Sequence, residues 1–169
     1  MRKTLYLFCI ASLYSCLIIG QNVFAVNGFC IAAPDHNGVQ KFVDFIDAEL
    51  APAGINTLVL RVDFNYAYTS RPELQEENPL TKEDVKKMVA VCKKNGINLI
   101  PQVNLLGHQS WAEKTNKLLE VYPEFDETPH IKVPEKYEWP NDDNLYCKSY
   151  CPQHPQVHDV VFDLMDEIM

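Results

Sequence analysis

Two stretches of the chain follow the same order of apolar and polar positions. Val39, Phe42, Val43, Ile46 and Leu50 recur at helical spacing, and Gly54-Ile55-Asn56 then leads into TLVLRVDFN. Val85, Met88, Val89 and Cys92 recur in the same way, and Gly96-Ile97-Asn98 leads into LIPQVNLLGH, 42 residues after the first Gly. Apolar positions three and four apart mark one face of a helix, whereas a short apolar run rich in Leu, Ile and Val marks a strand buried on both faces. A Gly between them is the usual left-handed residue that ends a helix. The second helix is opened by Thr81, with Glu83 and Asp84 in its first turn, where a hydroxyl cap and negative charge stabilise free N–H groups.

With GFCIAA as an earlier strand, the pattern predicts strands over 28–33, 56–63 and 97–104 and helices over 37–50 and 82–95. A third helix is expected over Ser110 to Val121. A fourth should start near Pro155, with Val157, Val160, Val161, Leu164 and Ile168 on one face. Strands alternating with amphipathic helices imply a parallel sheet covered by helices. The fold class expected is α/β, the N-terminal part of a (β/α)8 TIM barrel with about three strands and four helices, out of about 250 residues for a whole barrel. The last helix still runs at Met169, so the chain is expected to be truncated within that barrel. An open doubly wound sheet is the alternative, but Pro34-Asp35-His36 stands where its glycine-rich phosphate loop should follow the first strand.

The first 25 residues do not belong to this pattern. Arg2 and Lys3 precede the apolar stretch LYLFCIASLYSCLIIG, which ends in Val23-Phe24-Ala25, the arrangement of a secretory signal peptide cleaved after Ala25. The stretch is short for a span of roughly 20 residues, and no stop-transfer charges follow. A lipoprotein box at Leu13-Tyr14-Ser15-Cys16 is disfavoured by its Tyr. The mature chain, residues 26–169, is therefore expected to be exported, periplasmic or extracellular, with no stable membrane span. Loss of Arg2 and Lys3 from 15 basic residues leaves 13 against 23 acidic ones, a balance of −10 that argues against a nucleic-acid partner. Cys30, Cys92, Cys147 and Cys151 remain and allow three disulfide connectivities, among which the sequence does not choose.

In a parallel barrel, chemistry gathers at the carboxyl ends of the strands. The second strand leaves through Arg61, Asp63 and Asn65, and the third through Gln102, Asn104 and His108. Polar residues at alternate positions of otherwise apolar strands share one face, so they could converge at the barrel mouth. Between Pro123 and Pro152, Phe125, Tyr137, Trp139, Tyr146 and Tyr150 stand among five prolines, a loop long and stiff enough to line a site. Cys147, Cys151, His154 and His158 have a loose zinc spacing, but they lack the usual gap between ligand pairs, and export disfavours reduced thiols.

IPQVNLLGHQSWA, then VYPEF, a long loop and YCPQHPQVHDVVFDLMDEI resemble the glycoside hydrolases of family 20 and their relatives, with the resemblance covering most of residues 28–169. It implies β-N-acetylhexosaminidase-like chemistry on an oligosaccharide or glycan, with no metal and no cofactor. In such enzymes the substrate's own acetamido oxygen attacks the anomeric carbon, so the protein supplies an acid and an orienting carboxylate. His108 matches the family histidine that tunes the general acid, and Asp63 lies near the carboxylate that supports it. The catalytic Asp-Glu pair is expected beyond Met169, so this segment alone is expected to be inactive. Arg61, Asn65, Gln102, Asn104, Trp111 and Trp139 are the expected substrate contacts.

Three departures from the family pattern stand out. The first strand ends in Ala32-Ala33-Pro34 without the family's Arg, which Arg61 is available to replace. Gln102 and Asn104 stand where acids are usual, and Leu106 replaces a Pro. A carbohydrate-binding protein on the same barrel, with no catalysis, is therefore the second function class.

Overall fold

The structure is a computed structural model that describes residues 24–169. The expected signal peptide, Met1 to Ala25, lies outside the described residues except for Phe24 and Ala25. Among the described residues no helix is long and apolar enough to cross a membrane.

Three parallel strands form the sheet: β1 (Gly28–Ala32), β2 (Thr57–Arg61) and β3 (Asn98–Gln102), in spatial order β1-β2-β3. Their registers align Ala32 with Arg61 and Arg61 with Gln102, so the three strands end level. Helix α1 (Val39–Phe45) crosses from β1 to β2 and continues as a wider π-helical turn, Ile46–Leu50. Helix α2 (Lys82–Lys94) crosses from β2 to β3; its Thr81 hydroxyl and Asp84 carboxylate make a reciprocal capping box. The alternation predicted from residue spacing is present. The sheet stays open, with no closed barrel among the described residues, and is consistent with part of a TIM-barrel domain.

Both crossover helices end by the same device. Gly54 and Gly96 adopt φ values of 78° and 67°, a left-handed conformation that is strained for side chains other than Gly. In each case the Ile that follows donates its N–H to the carbonyl five residues back, Ile55 to Leu50 at 3.1 Å and Ile97 to Cys92 at 2.9 Å. These closures satisfy free helix carbonyls and turn the chain back into the sheet.

The helices cover one face of the sheet. Leu58, Leu60 and Val62 of the second strand and its exit pack there with Phe42, Ile46, Leu50, Met88, Cys92 and Ile97. The opposite face carries Cys30, Val59 and Ile100, with Ile100 40% exposed. A second core joins the chain after β2 and β3 to helix α4 (Val157–Ile168), through Phe64, Tyr68, Leu118, Phe125, Val157 and Leu164. Glu167 at the end of α4 accepts four hydrogen bonds from the backbone and hydroxyl groups of Thr69 and Ser70, at 2.7–3.0 Å.

The expected helix over Ser110 to Val121 is corrected. Ser110–Trp111 (β4) and Lys114–Thr115 (β5) pair as a short antiparallel hairpin, and only Lys117–Val121 (α3) is helical. Ala112 at the hairpin turn has φ 49°, which breaks a helix there. Gln109 and Ser110 are buried because the later loop lies across them: Gln109 N–H donates to the Lys148 carbonyl, and Lys148 N–H donates to Ser110 Oγ, both at 2.8 Å. Partners nearly 40 residues away in sequence outweigh the local helical preference. The last helix begins at Val157, two residues after Pro155.

Candidate functional site

The carboxyl ends of the three strands are tied together by polar side chains. Asp63 Oδ1 accepts the backbone N–H of Asn104 at 2.9 Å, and its Oδ2 lies 3.2 Å from Arg61 Nε. Asp63 has φ 49°, a left-handed conformation that directs the chain sharply out of the strand. Burial pushes its carboxyl above the ordinary carboxylate value, against the lowering pull of the Asn104 amide and the Arg61 guanidinium. The Tyr68 hydroxyl donates to the Asp63 carbonyl at 2.7 Å, and burial first, then the nearby Asp63 and Glu167 charges, raise that phenol beyond its ordinary range.

Asn65 Nδ2 donates to the Pro34 carbonyl at 2.8 Å, which joins the exits of β1 and β2. Its Oδ1 is buried with no hydrogen-bond partner, so an acceptor is left over at the strand ends. Gln102 Oε1 lies 3.7 Å from Cys30 Sγ on the face away from the helices. Arg61 and Gln102 therefore sit side by side at the ends of β2 and β3, and Asp63 reaches the Asn104 backbone from the turn just past β2.

His108 occupies a second cluster. It has φ 57°, and its ring stacks on Trp111 at 6.2 Å and meets Tyr146 edge-on at 6.0 Å. Trp139 meets the other side of this group, 5.7 Å from Tyr146. The Asn116 amide holds the His108 carbonyl at 2.6 Å, while the imidazole has no hydrogen-bond partner among the described residues. The Asp63 carboxylate is engaged with Arg61 and Asn104, so the structure does not join it to His108. Trp111 and Trp139 come together around Tyr146, a residue whose place in this cluster its sequence position did not single out.

The loop that carries Tyr146 also holds a buried cation. The Lys148 side chain is 4% exposed, and its ammonium donates to Asp126 Oδ2 at 2.7 Å, to the Thr128 carbonyl at 2.6 Å and to the Ile131 carbonyl. Sequence reasoning missed Lys148, because a single Lys in a polar loop carries no periodic signal. Only the wrapping of residues 126–131 around it creates the site.

Cys30, Cys92, Cys147 and Cys151 are all unpaired thiols. His154 packs against Phe125 at 4.7 Å and His158 stacks on Phe162 at 5.6 Å, and among the described residues no three His, Cys, Asp or Glu side chains are grouped to hold a metal ion.

No family model matches the chain. It is 28% identical over 95 residues to a β-hexosaminidase of Akkermansia muciniphila, a match covering 56% of this chain and 17% of that protein. Its fold matches a glycoside hydrolase family 20 β-N-acetylglucosaminidase with a TM-score of 0.58 at 18% identity, over 86% of this chain and 34% of that one. A mutant β-hexosaminidase of Streptomyces plicatus, in complex with the product GlcNAc, matches with the same score, identity and share of this chain, over 30% of its own length. This chain is thus similar in fold to part of these family 20 structures. It spans about a third or less of these relatives, and at these identities the solved structures establish the fold alone.

Proposed function

We propose that this chain is part of an exported glycoside hydrolase of family 20-like type, which removes terminal β-N-acetylhexosamine or a related hexose from a glycan. The observation that carries this reading is the level row of Arg61, Asp63, Gln102 and the Asn104 backbone at the carboxyl ends of parallel strands, in a fold shared with family 20 enzymes. Arg61 and the amides of Asn65, Gln102 and Asn104 offer donors and acceptors to sugar hydroxyls. Trp111 and Trp139 offer flat apolar faces to the sugar ring.

His108 serves in this reading as the imidazole beside the general acid, and Asp63 as the carboxylate that orients it once substrate and the acid-bearing strand are in place. Charge on the imidazole biases the proton towards the leaving oxygen. In this reading Asp63 exchanges its contact with Arg61 for one with His108 when substrate binds. The acid itself is assigned to a strand after Met169.

A second reading, a carbohydrate-binding protein without turnover, is favoured by the neutral Gln102 and Asn104 in place of acids. The protein encoded by the complete reading frame should hydrolyse aryl N-acetylglucosaminide, N-acetylgalactosaminide or galactoside and lose turnover far more than binding on His108→Ala. Binding without turnover would select the second reading, and an unchanged rate in the variant would remove His108 from the mechanism.

A further inference from the structure

Gln109 is fully buried, although its side chain is polar. Its Nε2 donates to the Asn104 carbonyl at 2.9 Å and to the Gly107 carbonyl at 3.3 Å, so both protons of the amide are spent on the irregular chain between β3 and the hairpin. Its Oε1 is buried with no hydrogen-bond partner. The two carbonyls fix which way the amide faces, because turning it over would set oxygen against oxygen. A Met of the same length would fill this space without an orphaned acceptor, so packing does not account for an amide here. Its two donors do.

Those donors act on the turn that carries His108. The Gly107 carbonyl belongs to the peptide group before His108, and the His108 carbonyl belongs to the peptide group after it. The second is held by Asn116 Nδ2 at 2.6 Å. Asn116 stands at the N-cap of α3, where an Asn side chain ordinarily accepts a helix N–H, but it makes no cap bond. Its amide is given to His108 instead. The Gln109 backbone is itself clamped, by its N–H to the Lys148 carbonyl and by the Asn116 N–H to its own carbonyl, both at 2.8 Å. With the peptide planes on either side pinned, His108 is kept at φ 57°. That left-handed conformation is unfavourable for a residue with a Cβ, and it persists where surrounding bonds over-determine it. It also sets the direction of the Cα–Cβ bond, and so lays the imidazole on Trp111 with 6.2 Å between ring centres.

We infer that Gln109 and Asn116 are positioning residues, whose side-chain amides grip the peptide groups on either side of His108 and aim its imidazole. What the imidazole then does rests on the glycosidase reading, whereas the grip rests on the hydrogen bonds alone.

The test uses the complete protein. On aryl N-acetylglucosaminide, Gln109→Met should lower kcat about tenfold and leave KM within about twofold, because a misaimed group loses rate before it loses binding. Asn116→Ala, at a half-buried position whose change spares the core, should shift kcat and KM in the same way. In a His108→Ala background either change should alter the residual rate less than about twofold, since no imidazole remains to be aimed. Equal losses with and without His108 would show that the amides only hold the fold, and would overturn the inference. Trp111 gives a reading that needs no turnover: a charged imidazole against an indole quenches its emission, and imidazoles charge between about pH 8 and 5. The part of the pH-dependent quenching that His108→Ala abolishes should fall by at least half in Gln109→Met and in Asn116→Ala. Undiminished quenching in these variants, or none in the parent protein for His108→Ala to abolish, would also overturn the inference. The catalytic reading fails separately: quenching that both variants lose, in a protein that does not hydrolyse the aryl glycoside, keeps the grip and removes the enzyme.

Discussion

Replacing Lys148 with Met tests whether the aromatic loop is held by a buried ion pair. Met fills most of the same volume but removes the ammonium from Asp126, Thr128 and Ile131. The Asp126 side chain, 14% exposed, would keep only the Thr128 N–H at 2.8 Å and the Thr128 hydroxyl at 3.3 Å as donors. Removing one member of a buried pair leaves an uncompensated charge and costs about 3–5 kcal/mol. In a chain of this size each kcal/mol lowers Tm by about 2–4 °C, so the loss should be on the order of 10 °C if the whole chain unfolds together. Should the loop open by itself, the loss stops at its own opening free energy and appears first in hydrogen exchange. The amides of Gln109 and Lys148, which tie loop to hairpin, should then lose protection before those of β2. Pairing Lys148→Met with Asp126→Asn should recover most of the loss, since no buried charge is left unpaired. A loss below about 1 kcal/mol with amide protection intact, as for a surface pair, would refute the reasoning.

Two further outcomes follow from the strand ends and helix α4. Glu167 has its carboxyl lowered from 4.5 to about 2: burial alone would raise it, but hydrogen bonds from Thr69 and Ser70 outweigh burial. A lowered acid stabilises the fold above its unfolded pKa and loses that contribution as pH falls through the folded one. Glu167→Gln should therefore cost about 1–2 kcal/mol in urea unfolding at pH 6, a figure discounted for partial exposure, and nothing near pH 2; a constant difference across that range would contradict it. His108 at φ 57° makes Gly the easier substitute, so His108→Gly should be about 1 kcal/mol more stable than His108→Ala. Equal melting curves for the two would show that the backbone there is unstrained.

The crossover elements were legible because their signals are local. Helical spacing of Phe42, Ile46 and Leu50, the capping pair Thr81 and Asp84, and left-handed Gly54 and Gly96 each act within about one turn of backbone. The pairing of Arg61 with Gln102 was legible for the same reason, since residues that end neighbouring strands in one register lie side by side. Ser110 to Val121 was expected to be helical as well, yet it became a hairpin and a short helix because Lys148, far along the chain, offered its backbone and hydroxyl better partners. The meeting of His108 and Trp111 with Tyr146, and the burial of Lys148, depend on the later loop returning to the hairpin. By itself the sequence determined the order of strands and helices and the polar character of their exits. Tertiary structure decided which of those polar and aromatic groups touch, because contacts between residues about 20 to 40 positions apart are set by packing and not by spacing.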